Sequence, residues 1–352
     1  MTRDPSKNRR RFLKLPAAIL AAVLVAALLA TFFFGRTSPP VLPNPNGYDD
    51  LLKAAGQLTG KVGEFSDLDQ DGLRDLLSAN AEALRGLRVG LKRSCQVPTE
   101  TVIAGFSTVM TDLINLKHLA TLCLAEGRLA EMEHRSADAA RSYIDAVHLG
   151  IAMSRGGLLI NRLVGIACEG MGCQRLVKLV PDLTCEQVRP LISELEQIET
   201  DTVPWGDVIK CENRFERAQL GKYPNPIRLI SELWQARGVR KQARMKHDLA
   251  AAHLRLIITE LALRCYCSEK NLAPVSLSEL VPSHLKRVPM DPFGNSWLIY
   301  RAQGTNWSLY SVGPDRIDDG GRGMNRSSFN TLDGFGIPGK IASGDLLHDS
   351  PW

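Results

Sequence analysis

Three aspartates near the C-terminus have the residue types and the spacing best suited to chemistry. Asp315, Asp318 and Asp319 place three carboxylates within five positions, and glycines on both sides of them let the backbone fold back. Ca²⁺ binds about six to eight oxygen ligands of this kind. The loop therefore predicts a calcium site, which Asp345 on the returning tail is expected to complete. The alternative is a solvated acidic turn that two neighbouring arginines partly neutralise.

A second acidic segment reads Asp67-x-Asp69-x-Asp71-Gly72 and matches the first half of an EF-hand calcium loop. Such loops need a bidentate glutamate at the twelfth position, where this chain has Ser78. We therefore expect these aspartates to lie at the N-terminus of the following helix, where the helix dipole favours negative charge.

The histidines and glycines of the chain form no catalytic motif. None of the seven histidines belongs to an H-E-x-x-H pair, and the chain has neither a G-x-S-x-G motif nor a phosphate-cradling glycine loop. We therefore predict that the chain is not an enzyme. The alternative is a hydrolase whose catalytic groups converge in space within the helical part of the chain.

Eight cysteines are present, and they lack the paired Cys-x-x-Cys spacing of zinc sites. No metal cluster is therefore predicted from them. Cys123, Cys168 and Cys265 lie within apolar helical runs, which predicts that their side chains are buried. One or two disulfides are expected, and the spacing leaves their pairing open.

An apolar run from residue 15 to residue 34 predicts a transmembrane helix. At about 1.5 Å per residue, a helix of this length spans the roughly 30 Å hydrocarbon core of a bilayer. Six basic residues precede residue 15, so the positive-inside rule places the N-terminus in the cytoplasm and the rest of the chain outside. These bases largely account for the net charge of +5, so we predict no nucleic-acid partner. The alternative is a cleavable signal peptide.

The sequence then divides into segments of different composition. We predict a basic cytoplasmic tail over 1–14, a membrane anchor over 15–35, a proline-rich linker over 36–48, a helical body over 49–245 and a C-terminal domain over 246–352. Within the body, apolar residues recur at helical spacing, and Thr184 with Gln187 forms a capping box. The pattern is typical of an all-α array with short connectors.

One segment of the body resembles a tetratricopeptide hairpin. Ala139, Tyr143 and Ala146 match the spacing of that repeat's second helix, but its Trp-Leu-Gly pattern is missing. No second copy follows at a period of about 34 residues, and stable arrays need about three copies. We therefore expect an ordinary helical pair at this position.

The C-terminal domain combines a helix with a predicted β-hairpin. An apolar stripe predicts a helix over about residues 246–267, and Ser276 with Glu279 forms the capping box of a short helix. Alternating residues predict strands over 297–301 and 307–312, joined by a five-residue loop that contains a glycine.

The order of motifs in this domain resembles the major pseudopilin of type II secretion systems. P-x-S-L-x-E-L-V-P, V-P-x-D-P-F-G, L-Y-S-V-G-P-D and D-D-G-G follow a long helix, and the resemblance covers residues 246–352. It implies a helix packed on a small antiparallel sheet, with a calcium-binding acidic loop after the second strand. The apolar run lacks the Gly-Phe processing site and the early glutamate of a pseudopilin, so we do not expect a pilus subunit.

We therefore predict an α+β protein: an N-terminal transmembrane helix, an all-α helical body and a small helix-plus-antiparallel-sheet domain. Its expected role is that of a membrane-anchored extracytoplasmic structural or interaction module with an unknown extracytoplasmic protein partner. One alternative is an accessory component of a type II secretion-like apparatus. The other is an extracytoplasmic hydrolase with its site in the helical body.

Overall fold

A computed structural model describes residues 41–98, 106–220, 226–294, 296–304, 306–323 and 346–347. The predicted anchor over residues 15–35 and the predicted calcium ligand Asp345 lie outside these residues. Among the helices that are described, none is both long enough and apolar enough to cross a bilayer. From Leu42 onward, the described residues belong to one compact unit.

The chain is mostly helical and has a small antiparallel sheet of two strands. The described α-helices are α1 (Gly47–Gly56), α2 (Gln70–Ala79), α3 (Ala81–Leu91), α4 (Phe106–Met132), α5 (Ser136–Ala152), α6 (Leu159–Leu179), α7 (Cys185–Thr200), α8 (Trp205–Leu220) and α9 (Pro226–Lys270). The strands are β1 (Ile299–Gln303) and β2 (Asn306–Tyr310), and short 3₁₀ helices cover Val62–Asp67, Val180–Asp182 and Leu277–Leu280.

Polar capping residues start two helices where the sequence predicts them. Asp69 accepts a hydrogen bond from the backbone N–H of Gly72 (2.9 Å), so the EF-hand-like segment caps α2. The side chain of Gln187 accepts from the backbone N–H of Thr184 (2.9 Å), which completes the capping box of α7. Each cap satisfies backbone N–H groups that have no partner within the helix.

One helix differs in extent from the prediction. The helix expected over residues 246–267 is α9, which begins 20 residues earlier, at Pro226. Its N-terminal half carries many charged residues, so the apolar periodicity detected only the C-terminal half. The predicted boundary at 245/246 therefore falls inside one continuous helix.

The helices pack most closely where glycines remove side chains. Gly150 of α5 and Gly165 of α6 face each other, and a Cβ atom on either would clash with the backbone carbonyl oxygen of the other. Gly127 of α4 similarly leaves room for the fully buried ring of Tyr143 on α5. The resulting core is continuous from α1 to β2. Through this core, the helical pair α4–α5 packs against α6.

The two strands form a tighter hairpin than expected. β1 and β2 pair antiparallel in a register that runs from Ile299↔Tyr310 to Gln303↔Asn306. The connection is therefore two residues long rather than five, because the ladder continues up to the turn. Leu298 and Leu309 are buried on the face that packs against the C-terminal part of the core.

A disulfide joins Cys185, the first residue of α7, to Cys265 in α9. Their Cα atoms are 4.9 Å apart, within the usual range of disulfides. This bond resolves the pairing that spacing left open. Cys123, Cys168 and Cys265 are buried, as predicted.

Candidate functional site

The predicted calcium ligands lie in the loop that follows β2. The Asp318 carboxylate accepts hydrogen bonds from Arg301 (2.8 Å), the Tyr310 hydroxyl (2.9 Å) and the Gly320 N–H (2.9 Å). The Gly320 N–H, and then the Tyr310 hydroxyl, lower the pKa of Asp318. The Asp315 carboxylate accepts from the backbone N–H of Ile317 (3.2 Å).

These aspartates do not gather their oxygen atoms around one point within the described residues. In that part of the chain, the one group of three or more potential ligand atoms within 4.8 Å of one another is formed by Cys185, Cys265 and Glu269. The fourth predicted ligand, Asp345, lies outside the described residues, so the calcium site stays a prediction.

Another aspartate of this region, Asp291, is buried and accepts three hydrogen bonds. It accepts hydrogen bonds from the backbone N–H groups of Phe293 (2.9 Å) and Val312 (2.9 Å) and from the hydroxyl of Ser311 (2.8 Å). The predicted Asp-Pro-Phe-Gly turn is thereby tied to the end of β2. This aspartate therefore positions the loop that follows β2.

A polar cleft of about 460 Å³ opens between α3, α4, α5 and α7, and we call it the charged cleft. Its lining is Arg88, Leu91, Lys92, Glu126, Ala130, Arg135, Asp138, Arg141, Ser142, Asp145, His148 and Glu194. Nine of these twelve side chains are titratable or permanently charged.

One guanidinium organises the floor of the charged cleft. Arg88 of α3 donates from Nε to Asp145 of α5 (2.9 Å) and from its terminal nitrogen to Glu126 of α4. The hydroxyl of Ser142 also donates to Glu126 (2.8 Å). The planar fork of arginine suits such simultaneous binding of two carboxylates. Three helices are therefore held together by one polar network at the bottom of the cleft.

Burial shifts the titratable groups of the charged cleft in opposite directions. It raises the pKa of Asp145, although Arg88 acts in the other direction. Burial, and then the nearby Asp145, raise the pKa of Glu194. Burial also lowers the pKa of His148. The carboxyls are therefore easier to protonate, and the imidazole easier to deprotonate, than in water. Both shifts favour the neutral forms of these groups, and perturbed pKa values of this kind are frequent at functional sites.

The sequence reasoning missed the charged cleft, although α5 carries a signal for it. Asp138, Arg141, Asp145 and His148 recur at helical spacing and lie on one face of an otherwise apolar helix. The apolar periodicity predicted the helix correctly. The polar stripe on its opposite face would have indicated that this face borders a polar cavity.

A second polar network is buried where α6 meets α9. Arg162 and Glu169 of α6 are 1% and 3% exposed and form an ion pair. Arg162 also donates from Nε to Nδ1 of His247 (2.9 Å). Burial, and then Arg162, lower the pKa of His247 to about 3. The imidazole is therefore neutral, and it accepts a hydrogen bond without bringing a second positive charge into the core.

Comparison with known proteins identifies no relative of this chain. No family model matches this chain, and no curated protein or solved structure is significantly similar to it.

Proposed function

We propose that the chain is a membrane-anchored extracytoplasmic interaction module. The anchor is the apolar run over residues 15–35, and the basic tail that precedes it keeps the N-terminus in the cytoplasm. The observation that carries this proposal is the disulfide between Cys185 and Cys265, because disulfides persist in oxidising compartments and are rare in the cytosol. The pseudopilin-like domain over residues 246–352 would then face the extracytoplasmic space.

An exposed apolar pair supports a role in binding a partner. Met290 and Trp297 are cross-strand neighbours in an isolated β-bridge, and they are 46% and 58% exposed. Aromatic residues and methionine are enriched where proteins bind one another. We propose that a partner protein packs on this pair.

In the same domain, calcium would order the loop that contains Asp315, Asp318 and Asp319, with Asp345 as a further ligand.

Protease accessibility with a C-terminal tag tests this topology. We expect protease added to cells with a permeabilised outer barrier and an intact cytoplasmic membrane to remove the tag, whereas a tag on the N-terminus stays protected. A C-terminal tag that is protected until the membrane is dissolved would refute the proposal.

The interaction has its own test in the same cells. Proteins cross-linked to the full-length chain in native membranes are expected to be lost in the double variant Met290→Ser/Trp297→Ser. The variant Leu272→Ser, which removes another exposed apolar side chain of this region, serves as the control. Equal cross-linking in both variants would exclude the proposed surface.

A second candidate function is a hydrolase, and the charged cleft is the observation that favours it. We propose that the imidazole of His148 would act as a base and the carboxyl of Glu194 as an acid, in keeping with the directions of their pKa shifts. Arg88, held by two carboxylates, would keep the floor of the cleft rigid.

Chromogenic esters, glycosides and peptide anilides can test the hydrolase candidate on the purified chain. We expect turnover of one class, reduced about 100-fold or more by His148→Ala or Glu194→Gln. Glu186 is exposed on α7, the helix of Glu194, but lies outside the cleft, so Glu186→Gln should leave the rate unchanged. Absence of turnover in all three classes, or equal rates in the cleft variants, would count against an enzyme.

A further inference from the structure

A carboxylate lies close to the Cys185–Cys265 disulfide. Oε1 of Glu269 lies 3.1 Å from Sγ of Cys185 and 3.8 Å from Sγ of Cys265. Glu269 is one helical turn after Cys265 on α9, so the helix itself presents both side chains on the same face. Two sulfur atoms and one carboxylate oxygen are therefore gathered within 4.8 Å of one another.

A histidine approaches the same carboxylate from the other side. Nε2 of His284 lies 3.2 Å from Oε2 of Glu269, and the His284 side chain is only 5% exposed. Its other ring nitrogen, Nδ1, is buried and has no hydrogen-bond partner among the described residues. The imidazole therefore holds the Glu269 carboxylate from the side away from the sulfurs, and the two sulfurs and this carboxylate are ligands that Zn²⁺ takes in proteins.

We propose that Cys185, Cys265 and Glu269 bind Zn²⁺ when the disulfide is reduced, and that His284 orients the Glu269 carboxylate. A dithiol reductant supplies two electrons and two protons, which yields two cysteine thiols and the cyclic disulfide of the reductant. Zn²⁺ then binds the two sulfurs as thiolates and releases the two thiol protons. Glu269 would be the third protein ligand and water the fourth, and the sulfurs would move apart until each lies at about 2.3 Å from the metal.

One neighbouring group opposes this site. Arg189 forms an ion pair with Glu269 and places a positive charge beside the carboxylate. The Arg189 side chain is 48% exposed and can turn into solvent when a cation arrives. Removing this arginine should therefore strengthen metal binding.

The link between α7 and α9 would persist in both redox states of the chain. In the oxidised chain the disulfide links the start of α7 to α9, and in the reduced chain the metal would bridge the same two sulfurs. The sequence could not indicate this site, because Cys185 and Cys265 are 80 residues apart. The inference does not depend on the proposed function.

Cobalt provides a direct test, because Co²⁺ bound to thiolates absorbs in the near ultraviolet and its tetrahedral complexes absorb visible light. For this experiment, the substitutions Cys211→Ser and Cys267→Ser are introduced into the full-length chain to remove the two half-exposed free thiols. It is reduced with dithiothreitol, freed of reductant under nitrogen and titrated with Co²⁺ and then Zn²⁺. We expect both absorption bands at one equivalent of Co²⁺, and their loss when Zn²⁺ displaces it.

Single variants separate the metal site from a general effect of reduction. Glu269→Gln and His284→Ala should each weaken Co²⁺ binding about tenfold or more, and Arg189→Gln should strengthen it several-fold. The oxidised chain should show neither band. If reduction unfolds the chain, Zn²⁺ is expected to restore the helical circular dichroism. Absence of the thiolate band, or equal affinity in the Glu269 variant, would overturn the proposal.

Discussion

Replacing Glu169 by leucine should lower the free energy of unfolding by about 3–5 kcal/mol. The change leaves the Arg162 guanidinium, which is 1% exposed, without its carboxylate partner. Arginine cannot escape this cost by losing its proton. His247 would still accept one hydrogen bond, but a neutral imidazole does not compensate a buried charge. Urea unfolding at pH 7, followed by the helical circular dichroism, measures the change.

Two further variants identify the unpaired charge as the cause. The double variant Arg162→Met/Glu169→Leu should recover most of the lost stability, because apolar residues of similar size often replace a buried ion pair without cost. Glu82→Leu removes an ion pair with Arg85 whose side chains are both more than 60% exposed, and it should change stability by less than about 1 kcal/mol. A double variant no more stable than Glu169→Leu would refute this explanation.

The second large effect concerns the disulfide. The double variant Cys185→Ser/Cys265→Ser should lower the free energy of unfolding by about 2–5 kcal/mol, because the bond closes a loop of 80 residues in the unfolded chain. Thermal or urea unfolding in the presence of a metal chelator measures this loss without any contribution from zinc. The same unfolding experiment on the reduced wild-type chain should give a similar decrease.

A matched control for the disulfide is Cys267→Ser. Cys267 is a free cysteine two residues after Cys265 on the same helix, so the change tests serine substitution on α9 without breaking a covalent bond. We expect it to shift stability by less than about 1 kcal/mol. Equal stability of the wild-type chain and the double variant would show that the disulfide does not stabilise the fold.

The elements that depend on neighbouring residues could be predicted from the sequence. The side chains of Asp69 and Thr184 start helices at the predicted positions, because a cap needs only residues within one turn. The helical periodicity of the body and the two strands were likewise recognisable. The extent of α9 was not, because the sequence of its N-terminal half is rich in charged residues and shows no continuous apolar stripe.

The sites depend on residues that are distant in the chain, and the sequence could not bring these together. Arg88, Glu126 and Asp145 come from three helices and meet only after those helices pack. Cys185 similarly meets Cys265 because α7 packs against α9. No local pattern encodes such contacts. A polar stripe on α5 was the one local sign of the charged cleft.

The continuity of α9 bears on how this protein can be divided. A helix of 45 residues is a rod about 68 Å long, and it carries contacts both to α6 in the helical body and to the strand β2. A fragment cut at residue 246 would begin inside this rod and would leave behind Cys185, the covalent partner of Cys265. The C-terminal domain therefore cannot be separated from the helical body at residue 246 without cutting both a helix and a covalent cross-link.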